Sequence, residues 1–212
     1  MKFKLLCILL FFSIMLGCTK SQIKDSLKAD SRANKYTTLA ILSNSLKDKK
    51  FAECVEKELI KNTSNLKIIP EVKFRDAMFP WFERKTAPKN LEELLAILSK
   101  TLIKNRIKNL GVELLIYVHG HTKTFDEGGI PYYYGSLYIA KRETNIWTTV
   151  WDLNKMDRAG DTDISVKGII VAGDICWFPY IIHPVFSESY ACNETAKRIS
   201  NYLKGKSQVT DK

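Results

Sequence analysis

The chain has 212 residues, with 33 Lys and Arg against 23 Asp and Glu, a formal net charge of +10. That length suits one domain with short appendages and is enough to bury a core without staples. There is no CxxC pair, P-loop, nucleophile elbow or dinucleotide fingerprint. Structural zinc, thiol-redox chemistry, nucleotide binding and the common serine-hydrolase pattern are therefore not signalled.

The N-terminus begins "MKFK" and continues "LLCILLFFSIML", apolar all round apart from Ser13. It has no polar stripe at helical spacing. From Leu5 to Gly17 a helix would reach roughly 20 Å, short of the ~30 Å hydrocarbon core. A short basic segment, a short apolar segment and a small residue at the end describe an export signal. The run stops at Met15-Leu16-Gly17-Cys18. This resembles the lipobox of bacterial lipoproteins, in which the cysteine is acylated and the chain is cut just before it. Leu16 stands where such boxes usually carry a smaller residue. The resemblance implies residues 1–17 as signal peptide, Cys18 as lipidation site and the membrane as a partner through that lipid. Thr19 is not the Asp that in enteric bacteria commonly retains lipoproteins at the inner membrane, so the outer membrane is favoured.

Removing residues 1–17 takes away two basic residues and no acidic ones, leaving +8. A basic chain suggests nucleic acid or anionic surfaces. Export argues against nucleic acid, and no run of five or six basic residues occurs, so the charge reads mainly as a solvated face. Residues 18–36 are nearly all polar and read as a tether, with a short helix through "SQIKDSLKADS" as the competing reading. A folded domain over 37–205 and a disordered tail over 206–212 follow. After Cys18 the remaining cysteines are Cys54, Cys176 and Cys192. Cys176 and Cys192 are the expected pair, closing a 17-residue loop worth roughly 3 kcal/mol. The alternative is three buried, reduced cysteines packing as small hydrophobes.

"YTTLAILSN" has continuous apolar residues from Leu39 to Leu42, as in a strand covered on both faces. Phe51, Val55 and Leu59 recur at helical spacing in the next segment. "LKIIP" reads as a short strand, and "EVKFRDAMFPWFE" as a short helix stopped before Pro80. "NLEELLAILSKTLIKNRIKNLG" predicts one long helix. Asn90 and Glu93 would form a capping box, Leu91, Leu95, Leu98 and Leu102 one face, and Gly111 the close. "VELLIYVHG" is another buried strand. "YGSLYIA", "NIWTTVWDL" and "TDISVKGIIVAG" then predict antiparallel strands joined by turns at "KRET" and "NKMDRAGD". "SESYACNETAKRISNYLKG" is a helix capped by Ser187 or Ser189, with Cys192, Ala196, Ile199 and Leu203 on its face. The expected fold class is α/β (α+β): a mixed sheet, an N-terminal β-α-β unit, an antiparallel meander, packed helices and a C-terminal helix.

That order after a lipobox resembles a group of bacterial envelope lipoprotein domains. They include the curli-secretion lipoprotein, the lipoprotein activators of penicillin-binding proteins and the N-terminal domain of the Tol-system translocation protein. The likeness rests on "TTLAILSN", the helix from Lys49, "LKIIP" and "LGVELLIYVHG", and extends to uncharacterised lipoproteins with segments like "FPWFE" and "ESYAC". It implies partner binding rather than catalysis. No long transmembrane hairpin is evident in the sequence, which disfavours a secretion pore.

Of the candidate sites, His119 and His121 are two apart, so on a strand they share a face. Asp126, Glu127 and distant His183 are the further ligands a catalytic metal would need. Asp161, Asp163 and Asp174 are the other carboxylates of interest, the first two in a turn-like "AGDTD". Tyr132, Tyr133 and Tyr134 follow Pro131 in a Gly-rich loop, the candidate partner-binding segment. Trp147 and Trp151 share a strand face and read as core, as does "FPWF". The favoured function is a non-enzymatic, membrane-anchored interaction or envelope-assembly module contacting an envelope protein, with no cofactor. The alternative is an envelope metal-binding protein or hydrolase using His119 and His121. The sequence leaves the oligomeric state open.

Overall fold

The computed structural model describes residues 20–27, 36–43, 45–63, 66–83, 86, 88, 91–132, 135–155, 157–175, 178–182 and 187–205. Seven strands make one mixed sheet: β1 (Lys20–Asp25), β2 (Thr38–Ser43), β3 (Lys67–Ile69), β4 (Leu114–Tyr132), β5 (Gly135–Asp152), β6 (Asp157–Ile175) and β7 (Phe178–Ile182). The order is β1-β6-β5-β4-β2-β3, with β7 also on β6. The described helices are α1 (Lys49–Asn62), α2 (Glu71–Ala77), α3 (Leu91–Leu98), α4 (Thr101–Leu110) and α5 (Ser187–Leu203). β2 pairs in parallel with β3 and β4, the expected β-α-β beginning, and β4 to β7 form the antiparallel meander. The mixed α/β class with helices packed on the sheet is thus as expected.

The period-two alternation of the strands divides the core in two. Leu39, Ile41, Leu114, Ile116, Ile146 and Ile164 face α1 and α5, which bring Phe51, Val55, Leu59, Ala196 and Ile199 against them. Ala40, Leu42, Leu115 and Trp151 face the opposite layer, α2 to α4, with Phe74, Met78, Phe82, Leu94 and Ile103. Each fully buried Leu, Ile or Phe side chain contributes about 1.5–3 kcal/mol.

Four expectations are corrected. The first concerns the tether. Its residues 20–25 are neither linker nor helix: β1 lies antiparallel on β6, with Lys20 opposite Lys167 and Ile23 opposite Ile164. Ile23 and Leu27, four residues apart, both pack on the core shared with α1 and α5, and Ser26 continues the pairing through its N–H to the Asp161 carbonyl at 2.9 Å. Gly160 admits this approach. Its φ is 153°, and a Cβ there would sit 2.9 Å from the Leu27 Cα.

The second concerns the long helix, which is two helices. Lys100 is extended (φ −67°, ψ 129°) between them. Leu94 and Leu98 are buried, then Ile103 and Ile107, whereas Leu95 and Leu102 are 40% and 52% exposed. A five-residue step from Leu98 to Ile103 cannot keep one face on a 3.6-residue helix, and the break restores the phase. Asn90 lies outside the described residues.

The third concerns the strands. "KRET" is not a turn: β5 runs unbroken through it, with Glu143 opposite Lys123 on one side and Lys167 on the other. The segment expected as a Gly-rich loop belongs to β4, with one bulge between Asp126 and Gly128. The hairpins are therefore long, reaching from Leu114 opposite Asp152 to Tyr132 opposite Gly135. Tyr138 and Trp147, expected on neighbouring strands, both belong to β5.

The fourth concerns the bridge. Cys192 is bonded to Cys54, not to Cys176, and the two Cα atoms are 5.9 Å apart. Cys54 lies beside the Phe51-Val55-Leu59 stripe of α1 and Cys192 on the stripe of α5, and those stripes pack against each other on one face of the sheet. Cys176 lies outside the described residues.

Candidate functional site

Among the described residues, helices cover the sheet face that carries α2 to α4 at its root only. Outward from Tyr117, alternate positions on β4 and β5 bring His119, Trp147, His121 and Asn145 together, with Asp163 on β6 opposite Trp147. The two imidazoles lie against the Trp147 indole, His119 stacked with ring centroids 5.4 Å apart and His121 tilted at 5.0 Å. His119 is anchored from the side: its Nδ1 is 3.1 Å from Asp48 Oδ1. Asp48 is buried in the turn before α1, where it also accepts from the Gly120 N–H at 3.1 Å and the Ser45 hydroxyl at 2.6 Å. His121 Nε2 is 3.4 Å from Asn145 Nδ2.

This geometry bears directly on the metal candidates. His119 and His121 do share a face, as their spacing predicts. Asp48 and the Trp147 ring flank His119, however, and the Trp147 ring and Asn145 flank His121. No group of three or more His, Cys, Asp or Glu that could hold a metal occurs among the described residues. His183 lies outside them. Asp161, expected in a turn, is on β6 and is a joint between strands: Thr149 Oγ1 donates to its Oδ1 at 2.8 Å, and Arg158 bonds it from three residues away. Asp163 is also on β6, opposite Lys24 of β1.

A second polar cluster lies on the other face, under the start of α5. Glu188 accepts from Lys50 Nζ (2.9 Å), Thr122 Oγ1 (2.8 Å) and Arg142 (2.8 Å). Burial raises its pKa, but the bonds from Lys50 and Thr122 and the charges of Lys50 and Arg142 outweigh that and hold it below the ordinary value. Thr144 joins this cluster to buried Ser187 at 2.9 Å. Held from three sides, Glu188 orients α5, while the buried Arg142 Nε in the same cluster has no hydrogen-bond partner among the described residues.

A cleft of about 240 Å³ opens where α3 and α4 meet the end of β5, lined by Leu95, Leu98, Lys104, Trp151 and Asp152. Trp151 is buried as expected, and its Nε1 has no hydrogen-bond partner among the described residues. Asp152 holds the β5–β6 turn, accepting the N–H groups of Asn154 and Lys155 and the Tyr36 hydroxyl. Burial raises its pKa, yet these bonds keep it below the ordinary carboxylate value. Of "FPWF", Phe82 is core, Phe79 is 57% exposed, and Trp81 carries the Arg106 guanidinium 5.2 Å from its ring centroid. Of the tyrosine segment, Tyr132 ends β4 opposite Gly135, while Tyr133 and Tyr134 lie outside the described residues.

No helix among the described residues is long and apolar enough to cross a membrane. No family model matches the chain, and no curated protein matches it significantly. Among solved structures it is similar to the PelC dodecamer from Paraburkholderia phytofirmans, at 5% identity and a TM-score of 0.45, over 89% of this chain and all of that one. A single-substitution variant of the same dodecamer matches at 9% identity and a TM-score of 0.41, over 90% of this chain and all of that one. At those scores the likeness adds nothing to the topology described above.

Proposed function

We propose that the chain is a bacterial envelope lipoprotein, acylated at Cys18, whose single α/β domain serves contact with other envelope proteins rather than catalysis. The observation that carries this reading is β1. The strand begins two residues after Cys18 and is built into the sheet, so an acyl chain there would hold the domain itself, not a loose leader. The Cys54–Cys192 bridge supports an oxidising compartment outside the cytoplasm. The α2 to α4 layer leaves Val72 (63%), Phe79 (57%) and Leu102 (52%) exposed, and large apolar side chains in water favour a partner.

The test has two arms. Cys18→Ser is expected to lose acyl labelling and to accumulate as an unprocessed precursor; a labelled, processed variant would sink the lipoprotein reading. Crosslinking in intact cells is then expected to recover a repeatable envelope protein, lost when Val72, Phe79 and Leu102 are replaced by Ser. The same purified protein is expected to carry no stoichiometric zinc. Bound zinc lost in His119→Ala/His121→Ala would favour the metal-binding reading instead.

A further inference from the structure

On the sheet face opposite α1 and α5, the residue chemistry changes twice along the strands. At the root α2 to α4 cover it, and next come His119, Trp147 and His121. Then comes a row of lysines: Lys123 and Lys167 stand on either side of Glu143 in register, and Lys141 lies one alternate position further, opposite Phe125 and Ile169. Lys123, Lys141 and Lys167 are all exposed, Lys167 within 3.8 Å of Glu143, and Phe125 is 47% exposed. Beyond that row the same alternate positions turn apolar. Ile139 is opposite Val171 and Leu137 opposite Gly173, while β7 places Ile182 opposite Val171 and Tyr180 opposite Gly173. No charged residue stands on this set of positions from Gly135 to Ile139 or from Ile169 to Ile175.

We propose that this four-stranded extension lays its apolar face into the lipid leaflet that holds the Cys18 acyl chains, with the lysine row at the headgroup phosphates. The inference rests on the lipoprotein reading only for the position of the anchor. That position is what selects lipid over other occupants. Lys20 is paired with Lys167, in the lysine row itself. Cys18 is two residues away, so the anchor is within roughly 7 Å of chain from that row. The membrane surface then coincides with the line where the face changes from charged to apolar. Lysines at that line attract anionic headgroups, and an aromatic such as Phe125 suits the boundary. From Ile169 to Ile175 the plate extends about 20 Å at strand rise, more than one leaflet and less than the ~30 Å core. Among the described residues the outer edges of its β4 and β7 are unpaired, and open edges cannot lie bare in hydrocarbon, so a single copy lies in the interface and does not span.

The test uses the full chain in vesicles of phosphatidylcholine and phosphatidylglycerol doped with a phospholipid bearing a photoactivatable acyl chain. After illumination, reduction and trypsin, peptides 124–141 and 168–197 are expected to carry the lipid label, and peptides from α4 are not. Ile139→Asp/Val171→Asp should lower that label about tenfold, with the thermal transition and the Cys54–Cys192 bridge as folding controls. Lys→Gln at 123, 141 and 167, read on the longer peptides 109–142 and 159–197 that the lost cleavage sites leave, should lower the label several-fold, while Lys→Arg preserves it. Label confined to the peptide containing Cys18 would overturn the inference with the lipoprotein reading intact. Label in the extension with no acyl mass at Cys18 would do the reverse. Chain-to-chain crosslinks through the extension without lipid label would assign the face to a second copy and overturn it.

Discussion

The two helical layers rest on opposite faces of one sheet and are held there by different means. α1 and α5 are stapled to each other by Cys54–Cys192 and tied to the sheet by the polar cluster around Glu188 and Ser187. α2 to α4 have no covalent tie among the described residues. They are held by large side chains, with Phe74 and Phe82 edge-to-face at 5.5 Å, and by Arg75 reaching Glu71 and the carbonyls of Ser43 and Phe82. The stapled layer packs small residues such as Ala191 and Ala196 closely. The other tolerates a helix break, a cleft and exposed leucines. A cross-link between elements 138 residues apart does the ordering that aromatic packing must do on the other side.

The largest expected effect comes from removing the staple. Closing so long a loop is worth about 5 kcal/mol in the chain-entropy model. Reductant should therefore shift the urea midpoint strongly downward, and Cys54→Ala/Cys192→Ala should abolish the reductant effect. An unchanged midpoint under reduction would erase the contrast between the layers. Next comes Phe74→Ala, which opens a cavity in the uncovenanted layer at about 3–5 kcal/mol. Its cost should be the same with or without reductant, because the two sites share no partner across the sheet. A cost that depends on reductant would mean that the layers are coupled.

Tyr117 reports the α2 to α4 layer by pH. Its hydroxyl donates to the Pro88 carbonyl at 2.9 Å. Burial is the main cause that pushes its pKa up to about 12, against the lowering charge of Arg75. Between pH 10 and 12 the folded chain keeps a proton that the unfolded chain loses, so stability falls as pH rises, by up to about 3 kcal/mol. Tyr117→Phe should flatten that alkaline limb in urea titrations, and an unchanged limb would show that the hydroxyl is not shielded by this layer.

The contrast between the layers also explains what could be read without coordinates. β2, α1, β3 and α2 were legible because each has a short, regular apolar period and a stop such as Pro70 or Pro80. α3 and α4 were misread as one helix because the apolar run "LLAIL" fits two faces, and only packing on Leu115 and Trp151 selects Leu94 over Leu95. β1 was invisible since its single apolar face needs β6 to have meaning. The length of β4 and β5 was hidden by Gly, Pro and charged residues, which signal turns locally but here pair across strands. Of the candidate site, the shared face of His119 and His121 followed from spacing alone. The anchor of His119, Asp48, did not, because it is brought in by a turn 71 residues earlier in the chain.

The smallest expected effect tests the polar tie of the stapled layer. For Glu188, burial raises the pKa, and the bonds from Lys50 and Thr122 with the charge of Arg142 bring it below the ordinary value of 4.5. A carboxyl depressed on folding contributes stability that is fully present above its unfolded pKa and is lost as pH falls through the folded one. The side chain is 31% exposed, so solvent screening limits the contribution to below about 1 kcal/mol. Glu188→Gln should therefore leave the melting transition nearly unchanged at low pH and lower it slightly at neutral pH, in the oxidised protein. With the bridge reduced, α5 depends more on this contact, and the neutral-pH loss should grow. A loss that stays the same after reduction would show that the staple and the polar cluster hold α5 independently, and that the covalent tie alone distinguishes the two faces.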